Sequence, residues 1–293
     1  MSKETIKQSF DRSAVGKGGD YERRRWFSDA LREAGYQMTK ESIHYHLLER
    51  GPFYDCLELG PGAGTWTKLF LEKYPDANFD LVDISGEMLK LAKKNLDKFI
   101  NPLCHSEAIG RRISSSMRSF APQFCGAQDD SGEGNRDDKG DTQDDKRGVK
   151  FGNVRYFETD FLDFKPDKQY DLFFSSRALE YISDKKEAVL KVAGLLKSGG
   201  RGFIITKTPK YLRAKLLGRE IPELHQGQIA PRKLKQLLSE TGFKNIEIYP
   251  VAMSLPLLKS SKLNRLLFRI FYKFRLNFLS QFFAESYCVK FEK

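Results

Sequence analysis

The sequence predicts an α/β fold, a doubly wound seven-stranded sheet that is mostly parallel and whose last strand is antiparallel. From residue 54 onward, short apolar segments of strand length alternate with segments of helical periodicity, and this alternation is typical of a parallel sheet with crossover helices. Helical segments separate the first six strands. The seventh strand is reached without a parallel crossover, so we expect it to run antiparallel to its neighbours.

The predicted elements follow from these apolar segments and from the turn residues that bound them. The strands cover residues 54–60, 78–84, 154–160, 170–177, 200–208, 244–252 and 286–293. The helices between them cover residues 65–74, 86–99, 184–197 and 231–242. A Ser-Gly-Gly sequence at 198–200 is predicted to end the third of these helices, and Pro231 is predicted to begin the fourth, which Gly242 closes.

Composition divides the chain into a core and three additions, at residues 1–50, 101–149 and 255–283. The core is predicted to cover residues 51–100 and 150–254 and to end with the last strand, in residues 284–293. Residues 1–50 are predicted to form an N-terminal helical cap. Residues 101–149 run from a basic, serine-rich half into an acidic half with almost no apolar residues, which we predict to be a disordered insert. The insert fits a tolerated surface insertion or, as the alternative, a regulatory or partner-binding segment.

The overall charge of the chain favours an anionic partner. Its 293 residues include 50 Lys and Arg against 39 Asp and Glu, a formal net charge of +11, which fits nucleic acid or an acidic membrane surface. No leader-like apolar region follows the first residues, and no apolar run reaches the roughly 18 residues of a membrane span. The four cysteines have no C-x-x-C spacing, so we expect neither a disulfide scaffold nor a zinc site, and we predict a cytoplasmic protein without a metal.

A glycine-rich turn follows the first predicted strand, in the sequence DCLELGPGAGTWTKLF at residues 55–70. Glycines where a strand turns into a helix let a ligand approach the outward-pointing backbone N–H groups, and nucleotides are the usual ligands. The dinucleotide pattern G-x-G-x-x-G would require glycine at Thr65. Glu58 beside the turn would repel a pyrophosphate, whereas a cofactor that carries an ammonium and a sulfonium would tolerate it.

Several motifs together resemble those of the class I S-adenosylmethionine-dependent methyltransferases, a Rossmann-like family. LELGPGAGTWT resembles motif I, and LVDISGEMLKLAKKN resembles motif II, whose acid, here Asp83, binds the ribose hydroxyls. FETDFLDF resembles motif III, whose acid, here Asp160, meets the adenine amino group. YDLFFSSRALEYI resembles motif IV, although the family usually has a histidine near Tyr181, and LLKSGGRGFII resembles the glycine turn before strand five. The resemblance covers residues 54–100 and 150–250.

The resemblance implies S-adenosyl-L-methionine as the cofactor and a set of residues around it. Carboxylates at the ends of successive strands can accept hydrogen bonds from a diol and from an amine, and such charge-assisted bonds are stronger than neutral ones. The N-terminal sequence SFDRSAVGKGGDYERRR also resembles the cap that closes over the cofactor in small-molecule members. The predicted cofactor-binding residues are Glu58, Gly60, Pro61, Gly62, Gly64, Asp83, Ile84, Met88, Asp160, Phe161 and Ser176.

Catalytic residues are less clearly indicated by the sequence. Methyl transfer is an in-line displacement that gains most from positioning, and a general base is needed only for acceptors that must lose a proton. His225, between strand five and the next helix, is a candidate base, with Tyr181 as the other candidate and a structural role as the alternative for each. Tyr21 and Tyr181 could also contact the sulfonium. His44 and His46 lie on different faces of a predicted helix and make a poor metal pair.

The acceptor is suggested by a basic amphipathic segment between strands six and seven. Residues 255–283 are predicted to form a helical insertion near the substrate mouth, with an apolar face (Leu263, Leu267, Ile270, Phe274, Phe278) and a basic face (Lys262, Arg265, Arg269, Lys273). Such a helix can lie in an anionic lipid interface. We therefore expect a small-molecule or lipid-like acceptor and peripheral membrane contact through 257–283.

Three alternatives stay open at this point. The apolar face of the insertion can pack on the domain. The basic aromatic residues 259–275 can bind RNA as the methyl acceptor, although the Asn/Asp-Pro-Pro-aromatic motif of enzymes that methylate base amines does not follow strand four. The chain can also bind S-adenosylmethionine without catalysing transfer.

Overall fold

A computed structural model describes residues 2–16, 21–100, 153–209, 227–255 and 259–293 of the chain. Its strands are β1 (Asp55–Leu59), β2 (Asn78–Asp83), β3 (Val154–Glu158), β4 (Tyr170–Ser176), β5 (Leu196–Lys207), β6 (Lys244–Met253) and β7 (Ala284–Glu292). They form one sheet in the order β3-β2-β1-β4-β5-β7-β6. Strands β1 to β5 pair in parallel, whereas β7 is antiparallel to both β5 and β6. The predicted fold class is confirmed.

The described helices are α1 (Lys3–Val15), α2 (Tyr21–Trp26), α3 (Ala30–His46), α4 (Thr67–Lys73), α5 (Gly86–Ile100), α6 (Lys185–Leu195), α7 (Pro231–Glu240), α8 (Ser261–Phe271) and α9 (Phe278–Phe283). Side chains cap several of them at the N-terminus, as Asp29 does for α3 by accepting hydrogen bonds from two backbone N–H groups. The predicted disordered insert at 101–149 lies outside the described residues.

The core lies on both faces of the sheet, which explains the nearly continuous apolar runs of the central strands. Neighbouring residues of β4 point to opposite faces, so Phe174 joins one apolar cluster with Phe70 and Phe79, and Phe173 joins the other with Val189 and Leu234. The helices α4 and α6, which contribute Phe70 and Val189, therefore cover opposite faces. This two-sided burial leaves the ends of the strands as the place for a ligand.

Two predictions about helices are wrong. The helix predicted at 184–197 ends at Leu195, because Leu196 is buried and already pairs with Tyr170 as the first residue of β5. The positive φ of Gly199, +75°, belongs to an irregular stretch inside the strand rather than to a helix end. The segment predicted as one amphipathic helix contains two short helices, α8 and α9, separated by a turn.

The helix α8 packs against α3 and β6, and this packing divides its predicted apolar face. Phe268 is buried against Met38 of α3 and Met253 of β6, and Leu267 joins this cluster from its edge. By contrast Leu263 and Ile270, which were predicted on the same face as Leu267, are exposed. The apolar residues of α8 therefore form two faces, one packed on the domain and one in contact with solvent.

His46, the last residue of α3, stabilises the packing of α3 against α8 and β6. Its Nε2 lies 3.1 Å from the backbone oxygen of Tyr272, just after α8, and its ring stacks on Tyr249 of β6 at 4.0 Å. Burial lowers the pKa of His46 to about 4, so the ring is neutral at neutral pH. The other histidine near this end of α3, His44, faces elsewhere and contacts Glu49, as expected from their different helix faces.

We predict that Asp80→Asn destabilises the fold, because Asp80 joins three strands from a buried position. Its carboxylate accepts hydrogen bonds from Nε and Nη2 of Arg155, both at 2.7 Å, and from the hydroxyl of Tyr170 at 2.5 Å. Losing the charge should lower the free energy of unfolding by about 1.5–3 kcal/mol, measured by urea denaturation. The exposed Asp76→Asn is the control, with a change within about 0.5 kcal/mol. Equal stability of the two variants would contradict this role.

Candidate functional site

A cleft runs along the carboxyl ends of the parallel strands, at the edge of the sheet where α/β proteins bind ligands. Its volume is about 390 Å³, within the range of roughly 300–1,000 Å³ that is usual for small-molecule sites. Residues that follow β1, β2, β3 and β4 form its floor, together with the end of β5. Residues of α1 and α2, including Phe10 and Tyr21, cover it from above.

The glycine turn forms the centre of the floor. Gly60 and Gly62 have φ of +68° and +55°, the left-handed region that favours glycine. A Cβ on Gly60 would lie 2.3 Å from the Cβ of Ala178, which follows β4, so glycine lets the ends of β1 and β4 come together. A Cβ on Gly62 would meet no atom within 4 Å. Gly62 lines the cleft with open space over it, as a close backbone approach by a ligand requires.

Asp83 lies beside this turn at the end of β2. Its carboxylate accepts hydrogen bonds from the backbone N–H of Ser85 at 2.9 Å and of Gly62 at 3.3 Å. Burial raises the pKa of Asp83 to about 6, so it is largely ionised at neutral pH. The Ser85 hydroxyl in turn donates to Asp11 of α1 at 2.5 Å. The carboxylate is thus held in position at the floor of the cleft.

Asp160 lies after β3, where α1 crosses the edge of the sheet. Its Oδ1 accepts a hydrogen bond from the backbone N–H of Leu162 at 2.8 Å, and its Oδ2 lies 3.2 Å from Nζ of Lys3. One turn further along α1, Lys7 pairs with Glu158 at 2.6 Å. The N-terminal helix is therefore held over this end of the cleft by ion pairs of Lys3 and Lys7, one of them to a predicted cofactor-binding carboxylate.

Glu58 lies beneath the turn rather than in the wall of the cleft. It is 1% exposed, its Oε2 accepts a hydrogen bond from the Thr67 hydroxyl at 2.7 Å, and its Oε1 is buried without a hydrogen-bond partner among the described residues. Burial raises the pKa of Glu58 to about 8. The acid is therefore mostly protonated at neutral pH, so the repulsion of a pyrophosphate expected from the sequence is weakened. It can still respond to a positive charge above the turn.

The structure brings nine of the eleven predicted cofactor-binding residues into the wall of this one cleft. Of the other two, Glu58 lies beneath the turn, and Gly64 faces Leu96 of α5. The nine residues are Gly60, Pro61, Gly62, Asp83, Ile84, Met88, Asp160, Phe161 and Ser176.

The predicted catalytic candidates have different positions. Tyr181 lines the cleft, as Tyr21 does, and packs edge-on against Phe10 of α1 with ring centroids 5.1 Å apart. Burial raises the pKa of both phenols, so neither is a good base at neutral pH. His225 lies outside the described residues.

Some residues of the cleft were missed by sequence reasoning. Trp26 and Trp66 pack edge-on with ring centroids 5.3 Å apart, and both line the cleft, together with Arg25, Arg177 and Lys207. Arg177 lies in the motif after β4, but the residue type alone does not indicate that its side chain points into the cleft. The run of arginines at 23–25 was a possible signal for a basic group above the cleft.

Comparisons with known proteins agree with this geometry. A family model described as "Methyltransferase domain" matches residues 19–248. Two curated relatives from Ilyobacter polytropus, malonyl-[acyl-carrier protein] O-methyltransferases 2 and 1, are 24% and 23% identical over 147 and 148 residues. These matches cover 50% of this chain but only 37% and 36% of the relatives, so the chain spans little more than a third of their length.

Similar solved structures cover the whole fold. The N-methyltransferase NodS of Bradyrhizobium japonicum WM9, in complex with S-adenosyl-L-homocysteine, superposes with a TM-score of 0.52 and 13% identity over 98% of both chains. The magnesium protoporphyrin IX methyltransferase of Synechocystis PCC 6803, also with bound S-adenosyl-homocysteine, superposes with a TM-score of 0.53 and 12% identity over 100% of both chains. At such identities the likeness concerns the fold.

We predict that Asp83→Ala weakens the binding of S-adenosylmethionine at least about ten-fold, because one charge-assisted hydrogen bond contributes about 1.5–3 kcal/mol. Isothermal titration calorimetry gives the dissociation constant. Glu87→Ala, on the outer side of α5, is the control and should bind as the wild type does. Unchanged affinity in Asp83→Ala would show that the carboxylate does not bind the nucleoside.

We also predict that S-adenosylmethionine binding at pH 7 releases up to about one proton, because a positive charge above Glu58 lowers a pKa that is about 8 in the free protein. The affinity should therefore rise with pH up to about 8. Titrations at pH 7 in phosphate and in Tris, which differ in ionisation enthalpy, measure the released protons. The release should vanish in Glu58→Gln, and a binding enthalpy independent of the buffer in the wild type would contradict the idea.

Proposed function

Because the chain belongs to the methyltransferase domain family, whose model matches residues 19–248, we propose that it transfers a methyl group from S-adenosylmethionine to a small-molecule or lipid-like acceptor at an anionic membrane surface. S-adenosylmethionine is the cofactor that the family and the two neighbours with bound S-adenosyl-homocysteine imply. The cleft fits it, because an open glycine turn lies beside the strand-end carboxylate of Asp83, and Asp160 follows the next strand in the sheet.

The residues that would hold the cofactor have separate tasks. Asp83 would accept hydrogen bonds from the ribose hydroxyls and Asp160 from the adenine amino group, while the backbone at Gly60 and Gly62 would lie along the rest of the molecule. The bound cofactor supplies a methyl group on a positively charged sulfur. The chain supplies position and the exclusion of water, because α1 and α2 cover the cleft, and in-line methyl transfer depends mainly on these two effects.

The observation that carries the membrane part of the proposal is a surface formed by α8, α9 and the turn between them, which we call the basic apolar surface. Its large apolar side chains are between 42% and 70% exposed, at Leu263, Leu266, Ile270, Phe274, Phe278, Leu279 and Phe282. Clustered exposed apolar side chains mark interaction sites. Lys262, Arg265, Arg269 and Lys273 are exposed among them, and no acidic residue occurs in 255–283. This combination favours an anionic lipid interface.

The surface follows β6 at the edge of the sheet that also carries the cleft, and it does not form the described wall of the cleft. β6 runs parallel to β5, because both pair antiparallel with β7, so α8 follows the same edge of the sheet that carries the cleft. No described residue of 259–283 lines the cleft. The helix α3 joins the two, since its Met38 packs with Phe268 of α8 and its Tyr36 stacks on Trp66 in the cleft wall at 5.2 Å. The basic apolar surface would hold the cleft near a membrane rather than bind the acceptor itself.

The comparisons support methyl transfer without choosing the acceptor atom. The names of the similar proteins refer to a malonyl-[acyl-carrier protein] O-methyltransferase, an N-methyltransferase and a magnesium protoporphyrin IX methyltransferase. Among the described helices none is long and apolar enough to cross a membrane, so the contact we propose is peripheral.

We predict that the wild type floats with vesicles containing anionic lipid and that the joint replacement of Lys262, Arg265, Arg269 and Lys273 by Gln abolishes flotation. Each basic residue near such a surface contributes about 1 kcal/mol. The control replaces four exposed basic residues elsewhere, Lys186, Arg232, Lys233 and Lys235, and changes the net charge equally. Equal flotation of the two variants would refute a docking role for the surface.

The same samples test methyl transfer. With methyl-labelled S-adenosylmethionine and vesicles made from a whole lipid extract, we expect label in the organic phase for the wild type and less for the surface variant. Transfer to added RNA instead would favour the RNA alternative. Tight cofactor binding without transfer to either would favour a protein that only binds the cofactor.

A further inference from the structure

The cleft is acidic at one end and basic at the other. Asp83 and Asp160 follow β2 and β3, whereas Arg177 follows β4 and Lys207 ends β5. Because the strand order is β3-β2-β1-β4-β5, the glycine turn after β1 separates the two groups of charges. If the nucleoside lies over the acidic end, the basic end is left for the acceptor.

We propose that Arg177, together with Arg25 of α2, binds a carboxylate of the acceptor, and that this carboxylate receives the methyl group. The proposal rests on the function proposed above, since it names the acceptor chemistry of the same cleft. Arginine presents a planar fork of N–H donors that matches a carboxylate.

The backbone at Arg177 has an unusual conformation. Its φ is +60°, which residues other than glycine rarely adopt and which persists only where the surrounding structure imposes it. Here the backbone N–H of Arg177 donates to the carbonyl of Ile205 in β5 at 2.7 Å, and the chain then turns away from the sheet toward Ala178. The strained backbone directs a long cationic side chain into the wall of the cleft.

The guanidinium of Arg177 has no polar partner among the described residues. Its central carbon lies 5.1 Å from the centre of the Trp26 ring, and its Nε is buried with no hydrogen-bond partner among the described residues. Nor does it form an ion pair with any of those residues. A buried N–H donor without an acceptor is unfavourable, and a bound carboxylate would satisfy it.

A second guanidinium contacts the same indole. The central carbon of Arg25 also lies 5.1 Å from the Trp26 ring. Burial and then repulsion by Arg25 lower the pKa of Arg177 to about 10, while the carboxylates of Glu180 and Glu285 act in the opposite direction. An anion between the two arginines would offset both their repulsion and their desolvation.

A carboxylate acceptor also agrees with the lack of an evident base among the described residues of the cleft. One carboxylate oxygen attacks the methyl carbon, the new O–CH₃ bond forms, and the C–S bond breaks with its electron pair returning to sulfur. The products are a neutral ester and a neutral thioether, and no proton is transferred. Among the described residues that line the cleft there is no histidine, and the pKa of each phenol there is raised.

The first test measures binding with octanoate and octanamide as probes, titrated into protein saturated with S-adenosyl-homocysteine. The wild type should bind octanoate at least ten-fold more tightly than octanamide. Arg177→Gln and Arg177→Gly should remove this preference and keep the affinity for S-adenosyl-homocysteine within about two-fold. Arg232→Gln, an exposed arginine on α7, is the matched control and should behave as the wild type.

Two results of this test would overturn the proposal. If the wild type shows no preference for octanoate, or if the variants keep it, Arg177 binds no acceptor carboxylate. If the affinity for S-adenosyl-homocysteine falls with the loss of Arg177, the arginine serves the carboxylate of the cofactor instead. Misfolding is controlled by the pair of variants, because glycine adopts φ +60° without strain, and we expect Arg177→Gly to have a Tm no lower than that of Arg177→Gln.

The second test identifies the bond that is formed. Methyl label transferred to the lipid extract should be released as volatile methanol by mild alkali, because methyl esters hydrolyse under conditions that leave ethers and N-methyl groups intact. Transferred label that resists alkali would refute the carboxylate proposal and leave methyl transfer standing. Failure to bind S-adenosylmethionine would instead refute the proposed function, so the two failures are distinguishable.

Discussion

The close approach of the first and fourth strand ends is the constraint on which the site depends. A Cβ on Gly60 would lie only 2.3 Å from the Cβ of Ala178, so only glycine fits at this position. This contact brings the turn after β1 against the segment that carries Arg177, and the parallel register places Asp83 on the other side of the same turn. The acidic and the basic ends of the cleft are therefore neighbours because two strands end close together.

The cover of the cleft is held by the same charges that the cofactor would use. Lys3 pairs with Asp160, and Asp11 accepts a hydrogen bond from Ser85 beside Asp83. These contacts are partly exposed, and such ion pairs contribute little to stability, about 0–1 kcal/mol each. The ion pairs of the N-terminal helix therefore contribute little to the free energy that holds it over the cleft.

Among the described residues around the cavity, two acids and one arginine are buried, and burial disfavours the charged form of each in the free protein. Glu58 and Asp83 have raised pKa values and Arg177 a lowered one, with burial as the largest cause in all three. Their signs are complementary to a ligand that is cationic near Glu58 and to an anionic acceptor near Arg177. Perturbed groups of this kind concentrate in functional sites, where ligand binding offsets part of the desolvation.

The sequence was enough to predict the sheet, the glycine turn and the two strand-end carboxylates, because these follow from local periodicity and from motifs a few residues long. The sequence did not determine where the helix before β5 ends, because the pairing of Leu196 with Tyr170 overrides the helical pattern. Nor did it determine which apolar residues of α8 are buried, because that depends on packing against α3 and β6. The orientation of Arg177 was also decided only by tertiary structure. Its backbone, with a positive φ, bonds through its N–H to β5, and its indole partner comes from α2, about 150 residues earlier in the chain. Contacts between such distant segments exist only once the chain has folded.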